Sequence, residues 1–187
     1  PWLLAEAKDR NLVYADQIEL PINTPVYPVE LEQLVETRSG ESVFIRPLKM
    51  TDEPALREMF YKLSEASIHY RFFGTLRTMP HEKLQDMLRV NYSGDMALVV
   101  LAGREESAPM IGIAHYRKDD RTNLAEAAFL VRDDWQGKGI GTALIATLMK
   151  CAQANGIAGF TASVLADNVG MLRVFHRCGY RLQSRLE

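Results

Sequence analysis

Residues 124–154, LAEAAFLVRDDWQGKGIGTALIATLMKCAQA, decide the fold of this 187-residue chain. Leu124 to Val131 is apolar on both faces except for one carboxylate, Glu126, which is the pattern of a strand covered on both sides. Asp133-Asp134 makes a tight polar turn, and Gln136-Gly137-Lys138-Gly139-Ile140-Gly141 a glycine-rich loop. Ile140, Leu144, Leu148 and Ala152 then recur every four residues with Ile145 and Met149 beside them, so a helix starting near Ile140 has one apolar face. Lys150 in its last turn and Asn155-Gly156 behind it are stop signals.

A glycine-rich loop that opens a helix leaves several backbone N–H groups unpaired and pointing outward. With the positive end of the helix dipole they form an anion site, most often for phosphate. Glycines at alternate positions let the backbone approach that anion, and Lys138 adds a mobile positive charge. The stretch Gln136, Gly137, Lys138, Gly139, Ile140, Gly141 and Thr142 therefore predicts a phosphate-bearing ligand. The alternative is a plain strand-to-helix connection. A Walker loop is absent, because no GxxxxGK followed by Ser or Thr occurs here, and GxGxxG fails because its last glycine falls on Thr142 or Leu144.

The pattern that does fit is Gln/Arg-x-x-Gly-x-Gly/Ala, met by Gln136, Gly139 and Gly141. Further on, Asn168-Val169-Gly170-Met171-Leu172-Arg173-Val174-Phe175-His176-Arg177-Cys178-Gly179-Tyr180 is similar to N-x-x-A-x-x-φ-Y-x-x-x-G-F. In this order and spacing the two segments resemble the acyl-CoA-binding core of the GNAT superfamily of N-acyltransferases. That resemblance implies an α/β GNAT fold: a mixed, mostly antiparallel central sheet of six or seven strands flanked by helices. IRPLKMTDEP, LSEASIHYRFFG and MALVVLAG look like the GNAT domain of bacterial Pat-type protein lysine acetyltransferases in particular. This likeness spans residues 43–187 and implies acetyl-CoA as co-substrate and a protein lysine as acceptor, with an acyl-CoA synthetase as a candidate acceptor protein.

Composition agrees with a globular domain: 47% of residues are hydrophobic and 25% charged, enough apolar material for a core. A net charge of −2 argues against a nucleic-acid partner. No apolar run approaches the roughly 20 residues that span a bilayer, so no membrane is expected, and no signal peptide opens the chain. Cys151 and Cys178 read as buried, reduced thiols, which fits a cytoplasmic location. No cluster of His, Cys and carboxylates has metal spacing, so no metal is expected.

Residues 1–42 read as an N-terminal arm or linker. Trp2-Leu3-Leu4 and Asn11 to Leu20 could be short strands, Pro21, Pro25 and Pro28 then break the chain, and Glu30 to Glu36 is a short polar stretch. NLVYADQIEL before a proline-rich linker resembles the end of the synthetase-like region that precedes some bacterial GNAT domains. The chain lacks an initiator Met, which reads as a fragment or a processed form. The domain begins with a strand at Ser42 to Pro47, then a helix capped by Thr51 or Asp52, a second from about Ser67 and a third from about Pro80 to Val90. Strands follow at Met96 to Ala102 and Met110 to Tyr116. After the central helix come a strand at Phe160 to Leu165, a helix at Val169 to Arg177 and a last strand at Tyr180 to Leu186.

Acetyl transfer to a lysine must remove a proton first, since the ammonium, with a pKa of about 10.4, is not a nucleophile. Glu126 is the candidate catalytic base: it is a lone carboxylate in an apolar strand, where burial would raise its pKa into the working range. The family resemblance assigns it the same role. Backbone groups of Phe129, Leu130 and Val131 would pair with the pantetheine like an added strand, and an N–H of Leu130 or Val131 could hold the oxyanion. Asn168 matches the family asparagine that touches the coenzyme, and Met171 and Phe175 follow it on the same helix. Phe175 departs from the family, because it stands where many members place a tyrosine that protonates the leaving thiolate. Tyr180 or His176 could substitute. His115 is the rival base, and His69 and His81 read as structural or surface residues. Transfer to a small amine or amino acid, and a non-catalytic acyl-CoA sensor, are the competing readings.

Overall fold

The computed structural model describes residues 25–105, 107–179 and 183. The expected strands at Trp2-Leu3-Leu4, Asn11 to Leu20 and Tyr180 to Leu186 lie outside the described residues. Among the described residues six strands form one sheet in chain order: β1 (Gln33–Glu36), β2 (Ser42–Pro47), β3 (Asp95–Leu101), β4 (Met110–Asp119), β5 (Leu124–Val131) and β6 (Gly159–Thr161). The first five pair antiparallel, and β5 pairs parallel with β6, so the expected mixed, mostly antiparallel sheet is what forms. The helices are α1 (Glu53–Tyr61), α2 (Glu65–Phe72), α3 (His81–Leu88), α4 (Ile140–Ala154) and α5 (Val169–His176).

Period-2 alternation divides the apolar residues of the sheet between two cores. In β3, Met96, Leu98 and Val100 face one side with Ile140, Leu144 and Leu148 of α4; Ala97, Val99 and Leu101 face the other with Leu56, Met59, Leu84 and Leu88 of α1 and α3. Both faces are thereby covered, which is why ALVVL reads as a continuous apolar run. Pro54 lies in the first turn of α1, where a missing N–H costs nothing. Just before it, Asp52 accepts two hydrogen bonds from the Arg46 guanidinium (2.6 and 2.7 Å), a buried bidentate pair that ties the end of β2 to that helix start.

The structure departs from the sequence reading in several places. Gln33–Glu36, read as part of a polar stretch in the arm, pairs with β2 from Gln33↔Ile45 to Glu36↔Ser42. Its pattern was unreadable because Gln33 and Leu34 are both exposed on an edge strand. α2 begins at Glu65 rather than Ser67, because the Ser64 hydroxyl accepts the Ser67 N–H (3.1 Å) as an N-cap. β6 ends at Thr161, well short of Leu165. Cys151 is buried, and burial pushes its thiol up to about 11, whereas Cys178 is only half-buried.

Candidate active site

β5 and β6 stay together for three residue pairs, Leu124↔Gly159, Ala125↔Phe160 and Glu126↔Thr161, and then part. Among the described residues, no strand pairs with the β6-facing edge of β5 beyond Glu126. A cavity of about 620 Å³ fills the wedge, lined by β5, the glycine loop and α5. α5 can close one wall because Gly141 lacks a side chain: a Cβ there would meet Val174 Cγ2 at 3.3 Å. The Phe175 ring meets Phe129 edge-on, with centroids 5.8 Å apart.

The glycine loop forms another wall. Gly137 and Gly139 adopt φ of +76° and +92°, a left-handed backbone that other residues take at a cost. Gly139 is the N-cap of α4 and makes no side-chain cap bond, and the helix carries no acidic residue in its first turn. The first N–H groups of α4 therefore keep both their free valence and the positive end of the dipole.

Of the residues expected to hold the coenzyme, Phe129, Leu130, Val131, Gln136, Gly137, Gly139, Ile140, Gly141, Thr142, Asn168, Met171 and Phe175 all border this cavity. Lys138 does not. Its ammonium pairs with Glu41 (2.5 Å) and lies over the Trp135 ring, 4.4 Å from the centroid. Hydrogen bonds from Lys138, Ser39 and Thr37 hold the Glu41 carboxyl down at about 2. The mobile cation expected at 138 is thus tied to the β1–β2 turn. That turn supplies a replacement, Arg38, whose N–H donates to the Lys138 carbonyl (2.9 Å). Its side chain crosses Gly139, where an added Cβ would meet Arg38 Cγ and Nε at 3.4 Å. Sequence reading missed Arg38 because it sat in the supposed arm.

Two polar side chains of the site also have structural work. Gln136 Nε2 donates to the Val131 carbonyl (2.9 Å) and to Ser67 Oγ (3.1 Å), joining the end of β5 to α2. Asn168 Oδ1 accepts the Met171 N–H (3.1 Å) and caps α5.

Glu126 borders the large cavity and also a second one of about 170 Å³, which opens on the α2–α3 side of the sheet. The two cavities share Glu126, Ala128 and Arg71. The burial expected for Glu126 is not found, because its side chain is exposed at this junction. A strand residue whose neighbours Ala125 and Ala127 pack inward must point the other way, here into the opening. His115, on β4 opposite Ala128, is half-buried and borders the second cavity. Burial, then the charges of Arg71 and Arg117, push its imidazole down to about 3, so it stays neutral at ordinary pH and is a poor base.

The pattern of the acetyltransferase (GNAT) family matches residues 60–180. The chain belongs to the GNAT family. Among curated GNAT relatives, acetyltransferase Pat of Mycolicibacterium smegmatis is 32% identical over 146 residues, covering 78% of this chain and 43% of its own. Acetyltransferase PA5475 of Pseudomonas aeruginosa is 31% identical over 129 residues, 68% of this chain and 69% of that one. The chain thus spans less than half of the mycobacterial Pat. The solved GNAT domain of S. lividans PAT superposes with a TM-score of 0.79 at 26% identity, covering 87% of this chain and 94% of that one.

Proposed function

We propose that this chain transfers the acetyl group of acetyl-CoA to a lysine side chain of a protein, by direct attack in a ternary complex. The observation that carries this reading is the position of Glu126 where two cavities meet. One has the attributes of a coenzyme site: a phosphate-type loop, a cationic side chain in Arg38 and a free strand edge. The other, on the far side of Glu126, leaves room for an amine to approach.

The chemistry follows from this arrangement. The Glu126 carboxylate takes a proton from the acceptor ammonium, directly or through water, and the free amine attacks the thioester carbonyl. The C–N bond forms first, giving a tetrahedral oxyanion whose collapse breaks the C–S bond, and the amine's second proton is released to water. An N–H of Leu130 or Val131 would stabilise the oxyanion between these events. Coenzyme A leaves as a thiolate, and with a thiol pKa of about 8–9 it needs no acid at the position of Phe175. The pyrophosphate would lie on the amides of residues 139 to 142, with Arg38 over it. The resemblance to Pat-type protein lysine acetyltransferases favours a protein lysine as acceptor, and an acyl-CoA synthetase is the first protein to try.

The test is the intact mass of such an acceptor after incubation with acetyl-CoA and this chain. A gain of one acetyl group is expected. Glu126→Gln should slow it by about a hundredfold to ten-thousandfold while leaving acetyl-CoA affinity intact. Transfer that persists in Glu126→Gln would remove Glu126 as the base. Binding without transfer to any amine would leave only a coenzyme sensor.

A further inference from the structure

The second cavity carries an imbalance of charge that acetyl transfer to a plain amine does not use. Four cations and three carboxylates border it. Arg117 takes up two of the carboxylates, Asp86 at 3.4 Å and Asp95 at 3.3 Å. That leaves Arg71, Lys83 and Arg89 facing Glu126 alone, and none of these four is in an ion pair among the described residues.

Arg71 is the most enclosed of the three. It sits in the last turn of α2, with its guanidinium 5.1 Å from the Phe72 ring centroid. Burial pulls its pKa down and the charge of Glu126 pulls it back, yet the two side chains make no ion pair. A half-buried guanidinium that lines a cavity and lacks a carboxylate partner keeps its donors free for an anionic ligand. Its neighbour His115 is neutral and offers it no negative charge.

An acceptor that matches this cavity has an amine for Glu126 and, close by, a carboxylate for Arg71. We propose that Arg71 binds the carboxylate of an Asp or Glu flanking the acceptor lysine, so that the cavity selects acidic lysine-containing segments. Lys83 and Arg89, at its rim, would reinforce the preference at longer range. The inference rests on the acetyl-transfer reading, and it specifies the acceptor class of that same site. A planar guanidinium suits a carboxylate bidentately, which makes the contact specific as well as attractive.

The experiment uses acetyl-CoA and matched lysine peptides whose flanking residue is Glu, Gln or Arg. With the unaltered chain, KM for the Glu peptide should be at least about tenfold below that for the Gln peptide. Arg71→Gln should erase the difference, Arg71→Lys should keep part of it, and Arg71→Glu should turn the preference towards the Arg peptide. Thermal melting of each variant identifies any that simply fails to fold, and the reversal by Arg71→Glu cannot come from misfolding. Equal KM values for all three peptides with the unaltered chain would overturn the inference while leaving lysine acetylation standing. Free amino acids form a second arm: Arg71-dependent acetylation of these and of no peptide would keep the carboxylate site and remove the protein-lysine reading. A third arm compares succinyl-CoA with acetyl-CoA on the Gln peptide. An Arg71-dependent preference for succinyl-CoA would assign the arginine to the donor and overturn the acceptor proposal.

Discussion

Asp133, in the turn after β5, accepts hydrogen bonds from both the backbone N–H (2.9 Å) and the hydroxyl (2.6 Å) of Ser64, the residue that caps α2. Ser67 Oγ adds a third at 2.8 Å. One carboxylate thus fastens the helix that bears Arg71 to the strand that bears Glu126, across 69 positions of sequence.

Asp133→Ala should therefore lower stability by about 0.5–1.5 kcal/mol and raise KM for both substrates. Burial works against the Asp133 carboxylate, but the bonds from Ser64 and Ser67 outweigh it and hold its pKa below the usual range. Because the folded pKa is the lower one, the stabilisation is complete above about pH 4 and fades as the pH falls through the folded value. Urea midpoints of the chain and of Asp133→Ala should differ at pH 7 and draw together as the pH falls below about 4. A constant gap would mean that the carboxylate charge is not what matters.

Arg38→Ala should weaken acetyl-CoA binding by about tenfold, the loss of one charge-assisted contact to phosphate. Lys138→Ala should change it by less than about twofold, since its ammonium faces Glu41 and Trp135 instead of the cavity. Calorimetry with acetyl-CoA separates the two. If Lys138→Ala proves the weaker binder, the assignment of the phosphate cation is reversed.

His115 predicts an acid-sensitive fold. Its folded pKa is pushed down to about 3, well below an unfolded value of about 6.5. In that window the unfolded chain binds the proton and the folded one does not, so stability is full above about pH 6.5 and declines as the pH drops. His115→Asn should flatten the denaturation midpoint between pH 6.5 and pH 5. It should also leave the limb of the kcat profile that reports the base unmoved; a shifted limb would restore His115 as the rival to Glu126.

β5, the glycine loop and α4 were legible in the sequence, because each depends on signals within a few residues. Ile140, Leu144, Leu148 and Ala152 announce a helix face, and all four are buried in the core. Gly137 and Gly139 likewise mark a loop whose left-handed backbone favours glycine. β1 was not legible, since Gln33 and Leu34 are exposed on an edge and nothing local distinguishes them from linker. β6 was overread: the apolar residues after Thr161 line the cavity instead of extending the sheet.

By itself, then, the sequence determined the order of strands and helices from β2 to α5, the glycine-rich loop and the one carboxylate in β5. Which charge serves which partner was decided only by the tertiary structure. Lys138 is captured by Glu41, 97 positions away, and Arg38 arrives over Gly139 from the same turn. Glu126 lies open rather than buried because β5 and β6 separate just beyond it. Periodicity records which face of an element meets the core, and that is a local property of the chain. An ion pair or a cleft depends on which distant turns the sheet order brings together, and no spacing along the chain records that.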